Sequence, residues 1–186
     1  MGFTREQLAA FAGKTVDDLL SPRVRLLFVG INPGLWTAAT NTHFCHPSNR
    51  FYPALRAAGL IDWEIDTSVG MSDEERLQLV EAGIGITNLV PRATVRASEL
   101  GREELREGAK RLRRVVSEVR PAVVAVAGLT AYRAAFDQPG AVLGAQPDPI
   151  GGAELWVVPN PSGLNAHETI ESLAQWYRKV ADAAGL

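Results

Sequence analysis

Four short apolar runs constrain this chain more than anything else in it: residues 25–29, 83–90, 122–127 and 154–158. None alternates apolar with polar side chains, so each is expected to be a strand covered on both faces. Gly30, Pro91 and Gly128 close the first three. Helix-like stretches lie between the runs. Residues 48–58 put Phe51, Leu55 and Ala58 on one face, and Ser72-Asp73-Glu74-Glu75 opens a helix with acid in its first turn. From Ser98 to Pro121, Leu105, Ala109, Leu112, Val115 or Val116, and Val119 recur at helical spacing. A short helix holds Tyr132 and Phe136, and residues 167–184 form the last one. Strand–helix alternation of this kind predicts an α/β fold, a mainly parallel sheet with helices on both faces. Residues 3–20 are expected to hold one or two helical turns, with Thr15 and Asp18 as a cap before Leu19 and Leu20, so that 1–22 form an N-terminal helical segment. Residues 33–46 and 139–153 read as loops.

With 186 residues the chain suits one domain with a real core. No apolar run approaches the roughly 20 residues needed to span a bilayer, and the first residues lack a basic-then-apolar export pattern. Cys45 is the single cysteine, which excludes an internal disulfide and fits a reducing cytoplasm. The net charge of −2 argues against a protein that lives on non-specific attraction to phosphate. A local basic strip remains compatible with it.

Two loops concentrate the candidate chemistry. Gly30-Ile31-Asn32-Pro33-Gly34 follows the first strand, and Asn160-Pro161-Ser162-Gly163-Leu164-Asn165 follows the last. Ligands of open α/β sheets bind at the carboxyl ends of the strands, so the two loops are expected to share one site. Pro33 biases Asn32 toward an extended backbone, from which its amide can meet a water or a substrate atom. The alternative is an asparagine that only bonds its own turn. Asn165 and Glu168 have capping-box spacing, so Asn165 is either a helix cap or a ligand contact. Leu164, between glycine and asparagine, suits a wedge between bases, and the helix start behind it suits a phosphate.

His43-x-Cys45-His46 has the look of metal ligands, but zinc needs a second cluster that the chain lacks, and no metal or cofactor is expected. Phe44, in the same loop, is either core or a platform for an unpaired base. The arginines of the helix after Ser98 interleave with glutamates and read as a solvated face. Arg92 and Arg96 are better phosphate candidates. There is no Walker loop, no Gly-x-Gly-x-x-Gly and no Gly-x-Ser-x-Gly.

Several stretches together resemble the mismatch-specific uracil/thymine DNA glycosylase family within the uracil-DNA glycosylase superfamily. They are Gly30-Ile31-Asn32-Pro33-Gly34-Leu35, Phe44-x-His46-Pro47-x-Asn49-Arg50-Phe51, Gly83-Ile84-Gly85-Ile86-Thr87-Asn88-Leu89-Val90, Arg102-Glu103-Glu104-Leu105-Arg106-Glu107-Gly108, Gly128-x-x-x-Tyr132-x-x-x-Phe136 and Asn160-Pro161-Ser162-Gly163-Leu164. The resemblance implies a three-layer αβα sandwich of one domain, a monomer without cofactor. It implies hydrolysis of the N-glycosidic bond of a mismatched or damaged pyrimidine in double-stranded DNA. It assigns Asn32 to the attacking water. Phe44 would stack on the flipped base, with backbone near Gly30, Ile31 and Phe44 reading its edge. Gly163, Leu164 and Asn165 would fill the gap in the duplex, with Asn160, Ser162 and the helix start near the phosphates. Thr37 and Asn88 are expected to border the base pocket and to widen the range of accepted bases. Ala166 stands where some relatives carry an arginine, and Gly128-Leu129 lacks a lysine often found there.

A neutral amide cannot take a full proton near neutral pH, so the bond would break largely by departure of the base, with Asn32 orienting water. Two other readings share these residues: a hydrolase of free nucleosides, and a module that binds mismatches without cutting.

Overall fold

A computed structural model describes residues 2–186. Its sheet is built from β1 (Leu26–Gly30), β2 (Ile84–Asn88), β3 (Val123–Ala127), β4 (Gly144–Ala145) and β5 (Glu154–Val158), in the order β2-β1-β3-β5-β4. β2, β1, β3 and β5 are parallel, and β4 is antiparallel on β5. Around them lie α1 (Arg5–Ala9), α2 (Leu35–Ala39), α3 (Phe51–Ala57), α4 (Asp73–Glu81), α5 (Arg102–Val119), α6 (Leu129–Phe136) and α7 (Ile170–Ala184).

Successive side chains point opposite ways, and β1, β2 and β3 are buried on both faces, whereas β5 leaves Glu154 exposed and Trp156 half-buried. Leu26, Phe28, Val123 and Ala125 meet α3, α4 and α7 through Phe51, Leu55, Leu79, Leu173 and Tyr177. Leu27, Val29, Val124 and Val126 meet α5 and α6 through Leu105, Leu112, Val116, Ala131 and Tyr132. The result is the αβα sandwich. Phe28, Phe51 and Tyr177 cross edge-to-face with ring centroids 5.0 to 5.5 Å apart. Such a pair adds about 1 kcal/mol beyond the area it buries.

Helix boundaries follow their caps. Ser72 and Glu75 form a capping box on α4. α5 ends on Arg120 in the left-handed conformation, just before Pro121. Its 3-10 prelude covers Ala97–Glu99, so the helix begins at Arg102 rather than at Ser98. α7 is capped by Thr169 against Ser172, and Asn165 is therefore no cap. The 33–46 stretch contains α2, and the expected 139–153 loop contributes edge strand β4.

The N-terminal segment departs most from expectation. Its helix is α1, capped by Thr4 with Gln7. Thr15 and Leu19 instead bridge antiparallel to Arg92 and Ile86. Residues 14–19 thus run along the open edge of β2, covering backbone groups that would otherwise invite pairing with another chain.

β1 connects to β2 on one side, while β3 connects to β5 on the other. The crevice outside the carboxyl ends of β1 and β3 is the topological switch point.

Candidate active site

A cavity of about 970 Å³ occupies that switch point. It is lined by residues following β1, β2, β3 and β5, among them Asn32, Phe44, Asn88, Arg96, Asn160 and Leu164. Of the residues named from sequence, Ile31, Asn32, Thr37, Phe44, Asn88, Asn160, Ser162, Leu164 and Asn165 all line it. Gly30 and Gly163 do not, and both act through the space they leave.

Asn32 is held by the segment after β2. Leu89 and Val90 N–H donate to the carbonyls of Gly30 and Ile31, and Thr94 N–H donates to that of Pro33. The two loops are zipped into one rim. Asn32 Nδ2 then donates to Arg92 O at 3.0 Å, Thr94 Oγ1 at 2.8 Å and Pro33 O at 3.2 Å. Carbonyls only accept, so the amide nitrogen must face them. Oδ1 is the atom left for the cavity. The turn-only alternative for Asn32 fails, because two of its three partners lie 60 and 62 residues away.

Phe44 stacks on Phe51 with centroids 4.2 Å apart and planes 24° from parallel. Its φ of 58° is left-handed, which costs a residue with a Cβ roughly 1 kcal/mol. Neighbours over-determine that conformation: the Tyr52 hydroxyl donates to His43 O at 2.8 Å, fixing the preceding residue. A Cβ on Gly30 would sit 2.2 Å from Asn88 Oδ1 and 3.1 Å from the Phe44 ring. Only glycine leaves room there for both groups to meet over the end of β1.

Asn88 is buried, and its Nδ2 lies 2.9 Å from His43 Nδ1. His43 Nε2 lies 3.0 Å from Asp17 O. Both ring nitrogens are thus engaged within the protein. No group of three or more potential metal ligands occurs among the described residues. Desolvation pushes the His43 imidazole down to about 4, against the pull of Asp18. Burial pushes the Cys45 thiol up, away from reactivity. Thr37, also buried, closes the cavity on the α2 side.

The loop after β5 is strapped to the segment after Phe44. Arg50 N–H donates to Pro161 O at 3.0 Å, and its guanidinium donates to the carbonyls of Gly163 at 3.2 Å, Asn165 at 3.0 Å and Glu168. A Cβ on Gly163 would come within 2.6 Å of Ser48 O, so this contact requires glycine. Leu164 projects from the strapped loop, 93% exposed. Asn165 Nδ2 donates to Asn160 O at 3.0 Å and stiffens the turn beneath it. Among the lining residues Glu168 is the single carboxylate. Arg92, expected to be free for phosphate, is forked onto Glu104 and spoken for. Arg96 remains at the mouth of the cavity, beside exposed Val95.

The sequence profile of the uracil DNA glycosylase superfamily matches residues 18–182. The chain belongs to the uracil DNA glycosylase superfamily. Among solved structures, it resembles the solution NMR structure of a "putative Uracil DNA glycosylase" from Methanosarcina acetivorans, with 20% identity and a TM-score of 0.58. That match covers 90% of this chain and 98% of the other. The likeness is one of fold. Membership of the superfamily carries the general activity of a DNA glycosylase, a hydrolase with DNA as its partner. No helix among the described residues is long and apolar enough to cross a membrane.

Sequence reasoning missed Thr94, Arg92 O, His43, Asp18 and Arg111 as parts of the site. Asp18 carries Arg111 at 2.5 Å and Thr87 Oγ1 at 2.7 Å, behind Asn88. Arg111 lies on the helix whose arginines read as solvated; an arginine directly before buried Leu112 gives no signal of the carboxylate it will meet.

Proposed function

We propose that the protein is a monofunctional, mismatch-specific DNA glycosylase that removes uracil, and with it thymine or modified pyrimidines, opposite guanine. The observation that carries this reading is the Asn32 amide: its nitrogen is spent on three protein acceptors and its oxygen is left to the cavity. Such an oxygen accepts a hydrogen bond from water and aims the water's lone pair outward. It does not deprotonate that water early, so the C1′–N1 bond lengthens first and the sugar gains positive charge. Water then adds to C1′, and its proton is lost to solvent as the base departs as an anion. Backbone N–H groups near Ile31 and Phe44 stabilise the leaving base. No second carboxylate stands in the cavity to support a two-acid glycosidase.

The base enters by flipping, which costs a few kcal/mol and least at a mismatch. Phe44, backed by Phe51, offers it a ring to stack on, and Asn88 an amide at its edge. Leu164 fills the vacated stack, with Gly163, Asn165, Ser162 and Asn160 shaping its loop. The exposure of a large apolar side chain on so firmly held a loop supports that role. The protein acts as a monomer on duplex DNA.

The test is single-turnover base release from duplexes bearing G·U, A·U and G·T, from single-stranded uracil DNA and from free uridine. Release from G·U should be fastest. Asn32→Ala should lower it by at least about 100-fold, the scale of losing one preorganised polar group at the reacting centre. Undiminished release by that variant would remove Asn32 from the chemistry. Faster hydrolysis of uridine than of duplex would favour a nucleoside hydrolase, and binding without release a mismatch-recognition module.

A further inference from the structure

His43 is a buried titratable group that the proposed chemistry does not use. It sits 2% exposed between Asp17 O and the Asn88 side chain. We propose that His43 is a positioning residue: it fixes the Asn88 amide in the one orientation that accepts uracil and rejects cytosine. This rests on the reading of the cavity as a base pocket.

Asp17 O can only accept, so His43 Nε2 carries the ring proton. A neutral imidazole has one N–H, which leaves Nδ1 as a bare acceptor. Asn88 must then present Nδ2 to it, at 2.9 Å. The ring stays neutral because it is desolvated. Its backbone is pinned by Tyr52 through His43 O, and the Asn88 backbone by Arg111, which donates to Asn88 O at 2.9 Å. Turning the Asn88 amide over would set Oδ1 against the Nδ1 lone pair, so the pair has one stable arrangement.

That arrangement determines what the pocket reads. Asn88 Oδ1 is directed over Gly30 toward the Phe44 ring, where an added Cβ would meet both. The amide therefore offers an acceptor, Oδ1, beside the second Nδ2 hydrogen. Uracil presents the complement, an N3–H donor beside a carbonyl acceptor. Cytosine presents an N3 acceptor beside an amino donor, so each of its groups faces its like. A freely rotating amide would suit either base. The chain spends a buried histidine to prevent that rotation.

Two measurements test the inference. In the free wild-type protein, nitrogen-15 spectra of the His43 ring should show protonated Nε2 and bare Nδ1 from pH 8 to 6. The Nδ1-protonated tautomer, or a charged ring in that range, would overturn it. In single-turnover assays, His43→Leu should lower uracil release about tenfold, the scale of one lost hydrogen bond, and reduce the ratio of uracil to cytosine release. Binding of the duplex should be retained, while the melting temperature should fall by a few degrees because Asp17 O and Asn88 Nδ2 lose their partner. His43→Gln, which again offers one donor and one acceptor, should restore much of both. A His43→Leu protein with wild-type rate and ratio would reject the orienting role even with the tautomer as expected. If His43→Leu does not fold, the ring spectra and the Gln variant decide. Should the wild type release uracil from no substrate, the proposed function fails, and the ring spectra alone still decide whether the amide is locked.

Discussion

The Thr94 hydroxyl lies 2.8 Å from Asn32 Nδ2 and donates its own proton to Arg96 O at 2.9 Å. Its oxygen is thereby committed to accepting from the amide, and this sets which end of Asn32 faces the cavity. Thr94→Val keeps the shape and removes the acceptor. Uracil release should fall about tenfold, as one buried hydrogen bond to a neutral partner is worth roughly 1 kcal/mol. Thr94→Ser should retain most of the rate. Duplex affinity, measured by fluorescence anisotropy, should not change in either variant. Weakened affinity with an unchanged rate would show that Thr94 serves binding instead.

Arg50 makes the wedge loop and the Phe44 segment one body, since its guanidinium takes the carbonyls of Gly163, Asn165 and Glu168 together. Leu164→Ala should therefore slow release from duplex by about tenfold or more, the worth of a well-filled apolar contact, and leave single-stranded uracil nearly untouched. Stability should stay within about 0.5 kcal/mol, as expected at an exposed site. Arg50→Lys should reproduce the duplex-selective loss, because an ammonium cannot fork across three carbonyls. Equal losses on both DNA forms would mean that the loop serves the base pocket and not the helix stack.

The parts of this architecture that are local were legible in the sequence. Val123, Val124 and Ala125 are buried whichever face they point to, and a run of such residues announces a covered strand. Asn32 was legible for a related reason: Pro33 restricts the backbone of the residue before it. The clamp on Asn32 was not, because Arg92 O and Thr94 are 60 and 62 residues away and owe their placement to the zipped rims of β1 and β2. Asn165 and Glu168 had the right spacing for a cap, yet Arg50 binds both carbonyls and delays the helix until Thr169. β4 holds two residues only, too few for any periodicity. His43 looked like a ligand because its partners, Asp17 O and Asn88, lie 26 and 45 residues off.

Tyr177 offers a test of the core independent of the site. Its hydroxyl is the one buried side-chain polar atom without a hydrogen-bond partner among the described residues. Burial also pushes its ionisation far above the ordinary phenol range. An unpaired buried hydroxyl costs roughly 1 to 3 kcal/mol. Tyr177→Phe keeps the ring against Phe28 and Phe51 and should raise stability by about 1 kcal/mol in urea unfolding, with base release unchanged. A clear loss of stability would mean that the hydroxyl has a partner, such as an ordered water.

Acid stability should report His43. Its pKa falls from the ordinary 6.5 to about 4 in the folded protein, chiefly by desolvation. Between those values the unfolded chain binds the proton and the folded one does not, so unfolding is favoured as pH drops. The contribution is complete above pH 6.5 and is lost as pH falls toward 4, at a slope approaching about 1.4 kcal/mol per pH unit for one proton. The carboxylates held low, Glu104 by Arg92 and Asp137 by Arg106 and Arg102, act with the same sign but only at lower pH, below the ordinary carboxylate range. The interval from pH 6.5 to 5 therefore belongs to the histidine. Urea unfolding at pH 7.5, 6.5, 5.5 and 5.0 should show the wild type losing stability across that interval and His43→Gln nearly flat. Parallel curves for the two proteins would mean that the buried imidazole accepts its proton in place, with Asp18 at 3.9 Å as the counter-charge.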